Sequence, residues 1–137
     1  MLRAHHVPKI IVVEDDKEIQ ELITAFCTQK NFDVHCFSNA NDALTESLVS
    51  GNNWSVLLTD FHFPEMSGAD FTARMNKNLP ALPIILITPL ELAETAVEAI
   101  KEGAYDFIVK PIIFPQLKVA VERALHFKHL KGDLQEL

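Results

Sequence analysis

Short runs that are apolar on both faces restrict the fold of this chain more than any other feature. Ile10–Val13 consists entirely of β-branched residues, and Ile84–Ile87 is a second apolar run of the same length. A third run, Val56–Leu58, leads directly into Thr59 and Asp60. A strand with apolar side chains on both faces needs cover on both sides, as in a parallel sheet enclosed by helices. The sequence therefore predicts such a sheet.

Segments with the apolar spacing of helices follow each strand-like run. The first helix is predicted to begin at the capping residue Asp16 and to stop near Asn31, and the last to begin near Pro115. The predicted strands are Ile10–Val13, Asp33–Phe37, Trp54–Thr59, Ile84–Ile87 and Tyr105–Val109. The residues predicted to face inward from the helices are Ile19, Leu22, Ile23, Phe26, Ala40, Ala43, Leu44, Leu48, Phe71, Met75, Ala93, Ala96, Val97, Ile100, Leu117, Ala120, Val121 and Ala124.

A βα unit that repeats five times with short connections predicts a doubly wound α/β domain, a (βα)5 sandwich of three layers. Asp33–Phe37 is more polar than the other predicted strands, so we expect it at an edge of the sheet. The chain has no glycine-rich phosphate loop, which argues against a nucleoside triphosphatase and against a dinucleotide-binding fold.

Polar side chains stand where the predicted strands end. Glu14 and Asp15 follow the first strand, Asp60 the third, Thr88 the fourth and Lys110 the fifth. The carboxyl ends of parallel strands meet at one edge of a sheet, and ligands of open α/β sheets bind there. One polar residue at a strand end is most often a solvated loop residue, but four corresponding ends predict a common pocket.

The charges of these residues indicate what the pocket binds. Glu14, Asp15 and Asp60 carry three negative charges and Lys110 one positive charge, so the pocket attracts a divalent cation. Ligands that are all oxygens favour Mg²⁺, with Mn²⁺ as a substitute, and the backbone carbonyl of His62 offers one more oxygen.

A carboxylate beside a cation can attack phosphorus, because the cation screens the approach of two anions. We therefore expect Asp60 to be a nucleophile that accepts a phosphoryl group. In this interpretation Lys110 holds one phosphoryl oxygen as a point charge and the Thr88 hydroxyl donates a hydrogen bond to another.

The composition suits a single acidic domain. The chain has 137 residues, and its formal net charge of −7 argues against direct binding of nucleic acid, which requires a basic face. No apolar run is long enough to span a membrane and no signal peptide is evident, so we expect a soluble, cytoplasmic protein. Cys27 and Cys36 lack the spacing of a metal or redox site.

The ordered set of motifs resembles the response-regulator receiver domain of two-component signalling. The motifs are Val12–Asp16, the Thr59-Asp60-x-x-x-Pro64-x-Met66-x-Gly68 pattern, Ile87–Thr88 and Lys110–Pro111. The resemblance covers roughly residues 9–128, and Glu94–Phe107 is similar to receivers of the NtrC type. It implies a flavodoxin-like sheet of order 2-1-3-4-5, and phosphorylation of Asp60 by a histidine kinase or a histidine phosphotransferase.

The resemblance also implies a switch. The Thr88 hydroxyl would move toward the phosphoryl group and Phe107 would turn into the vacated space. The surface of the fourth helix, fifth strand and fifth helix would then change its contacts with an output domain or a downstream protein. Lys110–Pro111 resembles the cis peptide of the family. Pro89 departs from the small residue that is common at its position, and its ring removes an N–H that could bind the phosphoryl group.

Two alternatives compete with an active phosphoacceptor, which would assist only its own phosphorylation and dephosphorylation and would not otherwise be an enzyme. One is a pseudo-receiver, an interaction module that works without phosphorylation. The other is a phosphohydrolase of the haloacid dehalogenase type, which needs a second aspartate two residues after the nucleophile. Here that position is His62, so the sequence disfavours the phosphohydrolase.

The predicted organisation is a flexible leader over residues 1–8, a receiver domain over 9–130, and a helical extension or linker over 131–137. Phe127, Leu130, Leu134 and Leu137 keep a heptad-like spacing that is compatible with a homodimer. A frayed tail is the competing interpretation, because Gly132 weakens a helix and two turns are too short for a stable coiled coil.

Overall fold

The computed structural model of the protein describes residues 7–49 and 53–136, with the backbone alone for residues 49 and 129–136. Residues 1–6 of the predicted leader lie outside the described residues. The strands are β1 (Lys9–Val13), β2 (Asp33–Phe37), β3 (Val56–Asp60), β4 (Ile84–Thr88) and β5 (Asp106–Val109). The helices are α1 (Lys17–Gln29), α2 (Ala40–Val49), α3 (Gly68–Asn78), α4 (Ala93–Lys101) and α5 (Phe114–Glu136), and a short 3-10 helix, Leu90–Leu92, precedes α4.

The strands form one parallel sheet in the order β2-β1-β3-β4-β5, which confirms the predicted fold. The more polar β2 lies at an edge, as expected, and β1, β3 and β4 are buried along most of their length. Register places Val13 opposite Thr59 and Asp60 opposite Ile87. The carboxyl ends of the central strands therefore lie at one edge of the sheet.

The core consists of one apolar cluster on each face of the sheet. Ile11 and Leu57 belong to the cluster that packs against α2, α3 and α4, whereas Ile10 and Leu58 belong to the cluster beneath α1 and α5. Alternation of side chains along β1 and β3 sends neighbouring residues to opposite faces. Each of these four side chains has no exposed surface, and burial of one such side chain contributes about 1.5–3 kcal/mol.

Four of the predicted inward-facing residues are exposed, so those predictions were wrong. Leu22, Leu48, Val97 and Ile100 have exposed fractions of 50%, 43%, 48% and 37%. In α4 the buried side chains are Ala96 and Ala99. Val97 and Ile100 each come one residue after a buried alanine, which on a helix is a rotation of about 100° away from the sheet. Small residues at the contact let the helix lie close to the sheet, and the larger side chains point outward.

The ends of α1 and α4 share one C-terminal motif. In α4 the N–H of Gly103 donates to Ile100 and that of Ala104 to Ala99, with Gly103 at a φ of 117°. In α1 the residue in the left-handed conformation is Asn31, with a φ of 61°. These are Schellman motifs, in which glycine or asparagine adopts positive φ at low cost. At the other end of α1, Asp16 caps the helix as predicted, accepting from the N–H of Ile19 at 3.2 Å.

Candidate functional site

Three carboxylates converge at the carboxyl edge of the sheet. Glu14 and Asp15 follow β1, Asp60 ends β3, and one oxygen of each lies within 4.8 Å of the others. The ammonium of Lys110, which follows β5, lies 3.6 Å from Oε1 of Glu14 and 3.6 Å from Oδ1 of Asp60. The structure thus brings together four of the residues that the sequence selected, from strand ends spread over most of the chain.

Glu14 is the most deeply buried member of the cluster, with 1% of its surface exposed. Burial raises the pKa of its carboxyl to about 7, and the negative charges of Asp60 and Asp15 act in the same direction. The backbone N–H of Asp16, which donates to Oε2 at 3.1 Å, and the charge of Lys110 partly oppose that rise in pKa. Oε1 accepts no hydrogen bond among the described residues, and the Lys110 ammonium that faces it lies 3.6 Å away, so this oxygen has lone pairs available for a cation.

The connection between β1 and α1, which carries the acidic pair Glu14 and Asp15, is hydrogen-bonded to β2 on one side and to α1 on the other. The N–H of Glu14 donates to the carbonyl of Phe37 on β2 at 3.0 Å, and the carbonyl of Glu14 accepts from the side-chain amide of Gln20 on α1 at 3.0 Å. Both contacts fix the backbone rather than the carboxylate. The carboxylate of Glu14 is therefore directed into the pocket by a backbone that has little freedom to shift.

Asp60 is a nearly buried carboxylate at the junction of β3 and the following loop. Its Oδ1 accepts from the N–H of Phe61 at 2.8 Å and faces Lys110. The same N–H lies 3.2 Å from the carbonyl of Ile87 on β4. These contacts orient the side chain of Asp60 toward the acidic pair on the neighbouring strand.

The loop from Phe61 to Ser67 is anchored by its aromatic residues and by its own backbone. Phe61 and Phe63 are buried, and the ring of Phe63 packs edge-on against Phe71 of α3 with centroids 5.4 Å apart. His62 and Ser67 form an antiparallel bridge at the base of the loop, while the side chain of His62 is exposed. The loop is therefore a closed turn rather than an open connection.

Two polar residues of this loop hold helices, and sequence reasoning missed both. The hydroxyl of Ser67 accepts from the N–H of Asp70 at 3.0 Å and caps α3. The spacing Ser67-x-x-Asp70 is the signature of a helix start and could have revealed this role. Glu65 accepts from the N–H of Ala40 at 2.7 Å, and no local sequence pattern predicts a hydrogen-bond partner 25 residues away.

The predicted switch residues lie on the two strands at one side of the sheet, Thr88 at the end of β4 and Phe107 within β5. Thr88 is completely buried, and its hydroxyl donates to the carbonyl of Pro89 at 3.2 Å. Phe107 is half-buried, packs against the cluster beneath α2, α3 and α4, and borders a groove of about 650 Å³ between β5 and α5. The peptide bond between Lys110 and Pro111 is cis.

The donor set of the cluster fits a hard divalent cation. Its ligand atoms are all carboxylate oxygens, one of them is a buried oxygen without a hydrogen-bond partner in the described part of the chain, and negative charge exceeds positive charge. Such a set is typical of Mg²⁺ sites rather than of zinc sites, which use nitrogen and sulfur. The acidic cluster is therefore a candidate metal centre.

The family follows from a match that covers most of this architecture. A sequence model described as the response regulator receiver domain matches residues 10–122, which include the residues of the pocket and all five strands except Lys9, the first residue of β1. The chain belongs to this family. The resemblance found in the sequence is thereby confirmed, and receiver domains of this family act in two-component signal transduction.

Curated relatives of this receiver domain are regulators of the NtrC type. The chain is 30% identical over 131 residues to regulatory protein AtoC of Escherichia coli K12, a match that covers 96% of the chain and 28% of AtoC. It is 33% identical over 126 residues to transcriptional regulatory protein ZraR of Salmonella typhimurium, covering 91% of the chain and 28% of ZraR. The chain thus spans little more than a quarter of these relatives.

Solved receiver structures have the same fold. A response regulator receiver domain from Clostridium thermocellum superposes with a TM-score of 0.85 at 27% identity, covering 90% of this chain and 98% of that one. NtrX of Brucella abortus matches with a TM-score of 0.86 at 28% identity, covering 96% of this chain and 29% of NtrX.

Over the residues that the structure describes, no helix is long and apolar enough to cross a membrane.

Proposed function

We propose that this receiver domain is an Mg²⁺-dependent phosphoacceptor switch whose acceptor is Asp60. The proposed donor is a phosphohistidine of a histidine kinase or of a histidine phosphotransferase, and the proposed compartment is the cytoplasm. The observation that carries the proposal is the cluster of Glu14, Asp15 and Asp60, whose oxygens lie within 4.8 Å of one another beside the ammonium of Lys110. The resemblance of the motifs supports the same assignment.

The chemistry divides among the residues of the pocket. A carboxylate oxygen of Asp60 forms a bond to phosphorus while the bond between phosphorus and the donor imidazole breaks, and the imidazole keeps the electron pair and takes up a proton. Mg²⁺, or Mn²⁺ in its place, neutralises charge between the carboxylate and the phosphoryl oxygens when bound. Glu14, Asp15, Asp60 and the carbonyl of His62 would hold it.

Lys110 and Thr88 stabilise the product in this proposal. The ammonium of Lys110, already 3.6 Å from Asp60, pairs with a phosphoryl oxygen as charge accumulates there. The Thr88 hydroxyl leaves the carbonyl of Pro89 and donates to another phosphoryl oxygen. A phosphoryl group biases a conformational equilibrium only through groups that it contacts differently in the two states, and Thr88 is such a group.

The movement of Thr88 is transmitted to Phe107 and to the face formed by α4, β5 and α5. Phe107 is only half-buried and borders the groove between β5 and α5, so a rotation of its ring changes the surface that a partner meets. We propose that an output domain or a downstream protein binds this face. The domain catalyses nothing beyond its own phosphorylation and dephosphorylation.

We propose that the receiver domain occupies residues 9–130, with residues 131–136 as a helical extension or linker. The predicted leader over residues 1–8 falls, apart from residues 7 and 8, outside the described residues, as does residue 137. The backbone of α5 continues to Glu136 in support of an extension. A homodimer through the seam of Phe127, Leu130, Leu134 and Leu137 fits this extension, although three of those side chains lie outside the described residues.

Intact mass spectrometry tests the proposal and its main alternative. After incubation with Mg²⁺ and a small phosphodonor, and in parallel with a histidine kinase, the wild type should gain one phosphoryl group. Asp60→Asn should gain none, whereas the matched control Asp42→Asn, an exposed position on α2, should behave like the wild type. Failure of the wild type to gain mass with either donor would instead support a pseudo-receiver, which the loss of an N–H at Pro89 favours.

A further inference from the structure

The loop after Asp60 leads into α3, but Glu65 at the tip of the loop is hydrogen-bonded to another helix, α2. Oε1 of Glu65 accepts from the N–H of Ala40 at 2.7 Å, and Ala40 is the first residue of α2. The first amides of a helix have no partner within it and need one from outside. The side-chain oxygen of Asn39 accepts from Asp42 instead, so Glu65 satisfies an amide that this cap does not reach.

This hydrogen bond is of the strong kind. The acceptor is a carboxylate, the distance is short, and the carboxylate lies at the positive end of the α2 dipole. The start of α2, to which Glu65 is bonded, is held firmly in the fold, because Ala40 and Ala43 have no exposed surface. Glu65 therefore ties a surface loop to a buried part of the fold.

The tie supplements the two other attachments of the loop. Phe61 and Phe63 fix its first half in the core, and the bridge between His62 and Ser67 closes its base. Only Glu65 attaches the tip to an element outside α3 and the loop among the hydrogen bonds of the described residues. The path of the backbone at His62, between Asp60 and the tip, depends on all three attachments.

We infer that Glu65 is a positioning residue, which holds the loop so that the carbonyl of His62 stays within reach of a cation bound by Asp60. The inference rests on the proposed function, because it assigns the His62 carbonyl to the Mg²⁺ site. Glu65 itself is exposed and binds α2 rather than the cation. Its effect on the metal is therefore indirect and acts through the backbone.

Titration of Mg²⁺ into the unphosphorylated protein tests this role. Glu65→Ala should weaken Mg²⁺ binding on the order of tenfold, the scale of loss when a residue that orients a ligand is removed. Glu65→Gln keeps an oxygen acceptor for the Ala40 N–H and should retain Mg²⁺ affinity close to that of the wild type. Hydrogen exchange at the Ala40 amide should be fast in Glu65→Ala and slow in Glu65→Gln.

Asn39→Ala is the matched control, because it removes the other cap of α2 and leaves the loop untouched. It should lower the unfolding midpoint without changing Mg²⁺ affinity. In phosphorylation assays, saturating Mg²⁺ should restore the rate of Glu65→Ala toward that of the wild type, so that only the apparent constant for Mg²⁺ differs.

Two results would overturn the inference while leaving the proposed function intact. One is an unprotected Ala40 amide in Glu65→Ala with Mg²⁺ affinity unchanged. The other is an equal loss of Mg²⁺ affinity in Asn39→Ala, which would assign the effect to the stability of α2. A wild type that binds no Mg²⁺ at all would instead overturn the proposed function and this inference together.

Discussion

The ammonium of Lys110 lies at the same distance, 3.6 Å, from a carboxylate oxygen of Glu14 and from one of Asp60. The two acids stand on neighbouring strands, and the lysine comes from the far edge of the sheet, after β5. The backbone N–H of Lys110 donates to the carbonyl of Thr88 at 2.7 Å, which continues the pairing of β4 and β5 up to the pocket. The lysine thus offsets part of the repulsion between the acids.

Replacement of this lysine should separate metal binding from phosphoryl transfer. Lys110→Ala removes one positive charge from the cluster, so Mg²⁺ affinity should rise roughly tenfold. Repulsion between one positive charge and a divalent cation a few ångströms away is large enough for this change even at the dielectric constant of water. Phosphorylation of Asp60 should slow, because the phosphoryl oxygens lose their ammonium partner. Calorimetry and intact mass measure the two effects. Lys101→Ala, exposed on α4, is the control, and equal losses of both properties would contradict the role of Lys110.

Glu14→Gln should stabilise the protein in the absence of divalent cations. The folded pKa of Glu14 is about 7, above its ordinary value of 4.5, so ionisation at pH 8 costs the folded state more than the unfolded state. We expect the substitution to raise the free energy of unfolding by roughly 1–3 kcal/mol at that pH. The wild type should lose stability as the pH rises from 4.5 to 7, and the variant should not.

Mg²⁺ should reverse the order of stability of the wild type and Glu14→Gln. The wild type gains stability when the cation relieves repulsion among the three acids, whereas the variant has one charge fewer and should gain less. Thermal unfolding with and without Mg²⁺ measures both differences. A variant that is less stable than the wild type without cations would show that the carboxylate of Glu14 is well accommodated in the empty pocket.

Gly68→Ala should destabilise the fold through a steric clash at the end of the loop. A Cβ atom at position 68 would lie 2.2 Å from the carbonyl oxygen of Phe61, and the backbone has to shift to accept it. The expected cost is about 1–3 kcal/mol in free energy of unfolding, measured by denaturant titration. Lys77→Ala, exposed on the same helix, should change stability little, and a neutral Gly68→Ala would refute the close approach.

The two cysteines should differ in reactivity. Burial, followed by the proximity of Cys36, raises the pKa of the Cys27 thiol to about 12, while Cys36 is exposed. At pH 8 a thiol reagent should label Cys36 in the native protein and both thiols after denaturation, and Cys36→Ser should abolish native labelling. Since the thiol pKa of Cys27 is higher in the folded state, stability should fall as pH rises from about 9 toward 12. Rapid native labelling of Cys27 would contradict its burial.

The strands and the meeting of their polar ends could be predicted from sequence because both depend on local pattern. Ile10–Val13 and Ile84–Ile87 are apolar on both faces, which only a covered parallel strand satisfies. Once the sheet is parallel, its connectivity brings Asp60 and Lys110 to one edge. The cap of the first helix at Asp16 and its stop near Asn31 are likewise short-range signals and were predicted correctly.

The remaining features depend on contacts that no local pattern encodes. Leu22 and Val97 fit an inward stripe by spacing, but the rotation of a helix on the sheet is decided by which side chains pack most closely. The bond from Glu65 to Ala40 joins positions 25 residues apart. The raised pKa of Glu14 depends on how deeply the folded chain buries it, which its neighbours in sequence do not determine.

The most direct measurement identifies the residue that carries the phosphoryl group. Treatment of the phosphorylated protein with borohydride reduces an aspartyl phosphate to homoserine, and peptide mass spectrometry then locates the changed residue. The proposed function predicts homoserine at position 60 alone, dependent on Mg²⁺ during phosphorylation and absent when the phosphodonor is omitted. Homoserine at another carboxylate, or phosphorylated protein in which position 60 stays aspartate, would contradict it.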